Sequence, residues 1–159
     1  VSHNSNNDGI NPDSCTDVLI EDCYLDQSDD CLAIKAGRDN SAWRSGRPCQ
    51  NIVIRNMPSN FDGVAIGSEC SGGVRNVFVY DCDYEDGNIL YCKSNLDRGG
   101  FIKDIYIKNL NVGKARILRL RNNYHGYRGG NFPTEFRNIN IENVNIGEEI
   151  GRASGRERV

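Results

Sequence analysis

One short pattern returns five times along the chain and limits what it can fold into more than any other feature. It appears as Asp17-Val-Leu-Ile-Glu-Asp-Cys23, Asn51-Ile-Val-Ile-Arg-Asn-Met57, Asn76-Val-Phe-Val-Tyr-Asp-Cys82, Asp104-Ile-Tyr-Ile-Lys-Asn-Leu110 and Asn138-Ile-Asn-Ile-Glu-Asn-Val144. Each copy runs from an Asn or Asp through alternating residues, mostly β-branched or aromatic, to a polar pair and an apolar residue. Alternation at period two is the pattern of a half-buried strand. The copies start 34, 25, 28 and 34 residues apart, which suits the coils of a solenoid carrying loop insertions.

A second apolar run follows each of the first four copies: Cys31–Lys35, Val64–Gly67, Ile89–Lys93 and Ile117–Arg121. Two or three short strands per coil, Asn, Asp and Gly at the corners, and no amphipathic helical stretch of useful length describe an all-β chain. The expected architecture is a right-handed parallel β-helix of about five coils, in which each coil buries a face its neighbour cannot bury alone. A β-sandwich also uses many short strands, but it would not require the same order of sub-motifs in each repeat.

Stacking turns sequence into surface. Aligning the second strands on their apolar cores places Asp8-Gly-Ile10, Asp30-Cys-Leu32 and Asp62-Gly-Val64 in one column. The 22 residues from Asp8 to Asp30 make one plausible coil. The longer step to Asp62 needs an insertion, and the polar stretch from Arg38 to Pro48 without alternation supplies it. A basic column through Lys35, Lys93 and Arg119 or Arg121 lies at the other end of the same strands. Acid on one side and base on the other form a groove suited to an anionic sugar.

The adjacent carboxylates of Asp29 and Asp30 repel, so one of them is expected to hold its proton more tightly than a free Asp. Acid-catalysed cleavage of a glycosidic bond needs one protonated carboxyl for the leaving oxygen and an ionised one for water. Asp8, a coil away, offers a further carboxylate. A solvated Asp-Asp corner is the plainer reading of the dipeptide taken alone.

Composition narrows the partners. The 159 residues fit one domain, and a net charge of −3 gives no electrostatic case for nucleic acid or an anionic membrane. No apolar run approaches the roughly 20 residues of a membrane span. Seven cysteines show neither a CxxC pair nor a cluster at zinc spacing. They read as small apolar core residues, and their odd number leaves at least one without an intrachain partner. The chain starts abruptly at Val1, and the stretch 149–159 abandons the repeat and resembles a translated sequencing adapter. Residues 1–148 are therefore expected to be a partial β-helix domain, truncated at both ends, followed by a tail foreign to the fold.

Asn7-Asp-Gly-Ile-Asn-Pro-Asp-Ser-Cys15 followed by Ser28-Asp-Asp-Cys-Leu-Ala-Ile-Lys-Ala-Gly37 resembles the polygalacturonase family of glycoside hydrolases. Ile66-Gly-Ser-Glu-Cys-Ser-Gly-Gly-Val74 and Lys93-Ser-Asn-Leu-Asp-Arg-Gly-Gly100 are similar to later family segments in the same order. The resemblance implies Asp29 as general acid, Asp8 and Asp30 as the pair that positions and activates water, and an inverting hydrolysis of pectic polysaccharide. It implies Lys93 as a ligand of the substrate carboxylate and makes Tyr124, in the loop Tyr124–Gly130, a candidate sugar contact. No metal and no cofactor are implied. The protein is expected to act as a monomer, secreted or periplasmic.

Two departures stand out. Phe61 occupies the place of the family's histidine and Tyr91 that of an arginine, which shifts the expectation from typical homogalacturonan cleavage toward an atypical branch, of galacturonan or rhamnogalacturonan type. Asp62, unusual at its place, is either a compensating carboxylate at the substrate or a turn residue before Gly63. His125 reads as a plain surface-loop residue, and Trp43 as either a sugar platform or a locally packed side chain. Two rivals remain at this stage: a Ca²⁺-dependent polysaccharide lyase on the same solenoid, and a non-catalytic carbohydrate-binding β-helix.

Overall fold

The computed structural model describes residues 4–57 and 62–147, together with the backbone of 148–149. Phe61 and the tail beyond 149 lie outside the described residues. The elements in chain order are β1 (Thr16–Glu21), β2 (Leu32–Ile34), α1 (Asp39–Ser45), β3 (Cys49–Arg55), β4 (Gly63–Gly67), β5 (Val74–Lys93), β6 (Phe101–Arg121) and β7 (Glu135–Glu149). All pairings between these strands are parallel. Parallel neighbours reached by right-handed crossovers, rung after rung, make a right-handed parallel β-helix.

The repeats stack in the register their spacing predicts. Val18, Ile52, Val77, Ile105 and Ile139 form one inward column, and Ile20, Ile54, Val79, Ile107 and Ile141 the next. The second strands add Ile10, Leu32, Val64, Leu90 and Leu118 in a third. From Leu32 to Leu90 this last column is essentially sealed from solvent. Each such side chain removed from water contributes about 1.5–3 kcal/mol, so the columns carry the stability of the coil.

The polar residues that frame each repeat are its corners. Asp17, Asn51, Asn76, Asp104 and Asn138 at the start, and Asp22, Asn56, Asp81, Asn109 and Asn143 near the end, all adopt the left-handed conformation at φ 50–59°. Asn and Asp tolerate that region better than other side-chain-bearing residues. Their side chains also join successive rungs. The Asn51 amide donates to Asp17 at 2.8 Å and that of Asn76 to Asn51 at 3.0 Å, while Asn109 donates to Asp81 at 3.0 Å. Because these bends do not interrupt the ladder, β5 and β6 run continuously where sequence suggests two short strands each.

The stretch Arg38–Pro48, expected as an insertion, lies between β2 and β3. It contains α1, a two-turn helix with Asp39 in its first turn and Gly46 closing it in the left-handed conformation. A helix this short has too few residues to show periodicity, so in the sequence it appears only as a break in the alternation. Trp43 lies on it and packs locally. Its ring meets Phe132 edge-on with centroids 4.9 Å apart, and its indole donates to the Arg98 carbonyl at 3.0 Å.

The seven cysteines form no disulfide, and five of them are buried. Burial pushes the Cys31, Cys49 and Cys82 thiols up to about 11. They are core residues with little thiolate at neutral pH.

Gly63 opens β4 directly behind Asp62 at φ +94°, and a Cβ there would lie 1.6 Å from the Asn88 carbonyl oxygen of the next rung. Gly63→Ala is expected to destabilise the fold by roughly 2–4 kcal/mol, since strain and a backbone clash coincide. Urea unfolding measures it; a loss below about 1 kcal/mol would show that the rungs can part at this point.

Candidate active site

Three columns cross the outer face of the second-strand sheet. The bridge Ile10↔Leu32 and the pair Leu32↔Val64 place Asp8, Asp30 and Asp62 at equivalent positions on successive rungs. At the far end Gly67 pairs with Lys93 and Lys93 with Arg121, so Arg121 is the member of the basic column. Arg119 belongs instead to the middle column, with Ala33, Ala65 and Tyr91.

The acidic and basic columns touch. Lys35 Nζ lies 3.2 Å from Asp8 Oδ2, and Lys93 Nζ donates directly to Asp30 Oδ2. Flexible lysine stems span the face between the columns, where Ala33 and Ala65 leave room for them. Gly67 helps in the same way, because the rung between Asp30 and Lys93 carries no side chain at that position.

Asp8, Asp29 and Asp30 converge, each offering an oxygen within 4.8 Å of the others. Asp8 Oδ2 also accepts from Asn11 at 2.9 Å, and Asp29 Oδ1 accepts the Asp30 backbone N–H at 2.9 Å. Among the described residues no lysine or arginine forms an ion pair with Asp29. A cation bound by the three carboxylates would have to compete with Lys35 and Lys93.

Burial pushes the Asp30 carboxyl above the ordinary Asp range; the Lys93 contact pulls it down, and Asp29 and Asp8 push it further up. Burial works against the charge on Lys93, but Asp30 more than offsets it and lifts the ammonium above the ordinary lysine range. Direct hydrogen-bonded contact makes this an ion pair, in which Lys93 draws the Asp30 carboxyl down against its burial.

These groups line one open cleft together with Asn6, Gly67, Ser68, Glu69, Tyr124 and His125. Tyr124 stands beside Lys93, whose Nζ is 5.8 Å from its ring centroid, and beneath the Arg121 guanidinium at 5.6 Å. Its loop is pinned from below: Asn95 donates to the His125 carbonyl at 3.1 Å, and Asp97 accepts the Gly130 N–H at 2.7 Å. Tyr91 supports the cations, with Arg119 4.4 Å and Lys93 5.3 Å from its ring centroid. The arginine missing at position 91 thus has cations on the next rung beside it.

Asp62 holds its column position but turns its carboxylate to the Cys31 N–H at 3.1 Å. It lines a small adjoining pocket with Asp30, Asn88 and Tyr91 rather than the cleft. Burial pushes its carboxyl up, against the pull of that N–H. Sequence reasoning gave no role to Glu69 or His125, yet both line the cleft. Glu69 lay within a quoted motif, Ile66–Val74, and that was the available signal.

The chain is similar to several known proteins. The family described as "Glycosyl hydrolases family 28" matches residues 1–157. A "Probable polygalacturonase" of Vitis vinifera is 35% identical over 91% of this chain and 32% of its own length. A "Polygalacturonase" of Ralstonia nicotianae is 29% identical over 96% of the chain and 28% of its own. Among solved structures, a hyperthermoactive exopolygalacturonase from Thermotoga maritima superposes with a TM-score of 0.81 at 34% identity, over 89% of this chain and 33% of that one. The chain spans about a third of the length of the proteins it matches. It belongs to glycosyl hydrolases family 28.

Proposed function

We propose that the site hydrolyses glycosidic bonds of a pectic polysaccharide, of galacturonan or rhamnogalacturonan type, by single displacement with inversion. The observation that carries this reading is the convergence of Asp8, Asp29 and Asp30 within 4.8 Å, with ammonium partners on two of the three. Asp29, the carboxyl without such a partner, donates a proton to the leaving oxygen. Asp8 and Asp30, each in contact with a lysine ammonium, position and deprotonate the attacking water.

The spacing suits one water. Two carboxylate oxygens that both accept from a single water, each at about 2.8 Å, stand roughly 4.5 Å apart. The acid Asp29 likewise has an oxygen within 4.8 Å of both water-holding carboxylates, closer than the ~6.5–9.5 Å usual between the acid and base of inverting enzymes, so the configuration of the product is the deciding measurement. Lys93 and Tyr124 meet the galacturonate, the first through its charge and the second through its ring face. Asp62 shapes the neighbouring pocket behind Asp30. The protein acts as a monomer outside the cytoplasm, consistent with the family; no helix among the described residues is long and apolar enough to cross a membrane.

Proton NMR of the first products from polygalacturonate and rhamnogalacturonan oligosaccharides tests the proposal. The expected result is a reducing end whose anomeric configuration is opposite to that of the bond cut. Retention would replace the water with a covalent intermediate. Ultraviolet-absorbing unsaturated ends, lost with chelator, would make the site a lyase.

A further inference from the structure

Behind the carboxylates a chain of alternating charge continues past Lys35 through residues that the hydrolytic steps do not use. Lys35 Nζ, 3.2 Å from Asp8, is also 3.9 Å from Glu69 Oε2. Glu69 Oε1 accepts the Ser68 hydroxyl at 3.0 Å and lies 3.9 Å from Arg98 Nη2. Arg98 is only 2% exposed. Its Nη1 donates to Asp39 Oδ1 on α1 at 2.7 Å, and its Nε donates to the Ser68 carbonyl at 3.0 Å. The backbone repeats the tie, since Ala36 N–H donates to the Glu69 carbonyl at 2.7 Å.

A buried guanidinium requires partners that stay in place, and here they are Asp39, the Ser68 carbonyl and, at longer range, Glu69. Glu69 is thereby anchored from behind, while its other oxygen faces Lys35, which is the cation on Asp8 among the described residues. Lys35 needs such a restraint. Its stem is flexible, and a galacturonate entering the cleft offers its ammonium a competing carboxylate.

We propose that Glu69 is a positioning residue: it keeps the Lys35 ammonium on Asp8 and away from the substrate carboxylate, so that Asp8 keeps the orientation that holds water. The inference rests on the hydrolytic reading and deepens it. It predicts an uncommon signature. Loss of Glu69 lowers kcat without raising KM, because a released Lys35 binds substrate instead of Asp8.

A double-mutant cycle in the full natural chain tests this, with polygalacturonate as substrate and thermal unfolding by circular dichroism as the fold control. Lys35→Met is expected to lower kcat about 100-fold. Glu69→Gln is expected to lower kcat about tenfold with KM unchanged or smaller, and to change kcat less than about twofold once Lys35 is already Met. An equal loss in both backgrounds, or a raised KM with kcat intact, would overturn the role of Glu69. If Glu69→Gln does not fold, Glu69→Asp, one methylene shorter, enters the same cycle with the same criterion. Asp29→Asn is assayed alongside. Should it turn over like the wild type, the hydrolytic reading itself fails; should it be inactive while the cycle is additive, only the role of Glu69 fails.

Discussion

Asp29→Asn is expected to lower turnover by at least about 10³-fold while an oligogalacturonate binds within a few-fold of its original affinity. The amide has the shape of the acid and can still accept the Asp30 N–H that now meets Asp29 Oδ1 at 2.9 Å. It cannot give up a proton to a leaving oxygen. General acid catalysis contributes roughly 10²–10⁴-fold, and the upper half of that range fits a bond whose leaving group departs as a poor alkoxide. Asp29 is exposed and holds no cation among the described residues, so nothing structural depends on its charge. Turnover within tenfold of wild type, measured by reducing-end release beside calorimetric binding, would remove Asp29 from the proton-donor role.

Lys93→Met is the second large effect, and its direction in pH is specific. Asp30 faces Lys93, Asp29, Asp8 and, from the next rung, Asp62. Burial and the acidic neighbours push its carboxyl up, and only Lys93 pulls it down. Without the ammonium the carboxyl rises further. The ionised form needed at the water is then lost at a higher pH, so the acid limb of kcat moves toward neutrality. Turnover at the old optimum is expected to fall about 100-fold. A loss of amplitude with the acid limb unmoved would mean that Lys93 serves substrate binding or packing alone. The pair is mostly buried, with side-chain exposures of 8% and 19%, so a lower unfolding temperature accompanies the change. Assay well below that temperature separates the two effects.

Much of this arrangement was legible because a solenoid repeats its grammar. Alternating Val and Ile gave the inward columns, and the intervals between copies gave the register that places Asp8 over Asp30. The Asn and Asp residues at the repeat ends were visible as corners, though not as rungs of an amide ladder. What escaped was whatever depends on side-chain reach or local curvature. Spacing placed Lys35 and Asp8 at opposite ends of a strand, and only the flexible stem crossing between the columns brings them together. The short helix α1 carries no periodicity long enough to read, and its service to the cleft, through Asp39 and Arg98, crosses 59 residues. Glu69 sat inside a recognised motif without a role, because its meaning lies in what stands on either side of it in space.

The Lys93–Asp30 contact joins residues 63 apart, and Lys35 reaches back 27 residues to Asp8. The clustered carboxylates sit on two adjacent rungs, yet the ammonium on Asp30 arrives two rungs later. A chain still emerging from the ribosome therefore carries the acids well before it carries their partner. Until the later rungs have wound onto the earlier ones, Asp30 has neither the burial that raises its carboxyl nor the ammonium that offsets it. Synthesis order thus lays down the carboxylates before the stack that sets their geometry, and the late rung is what completes their surroundings.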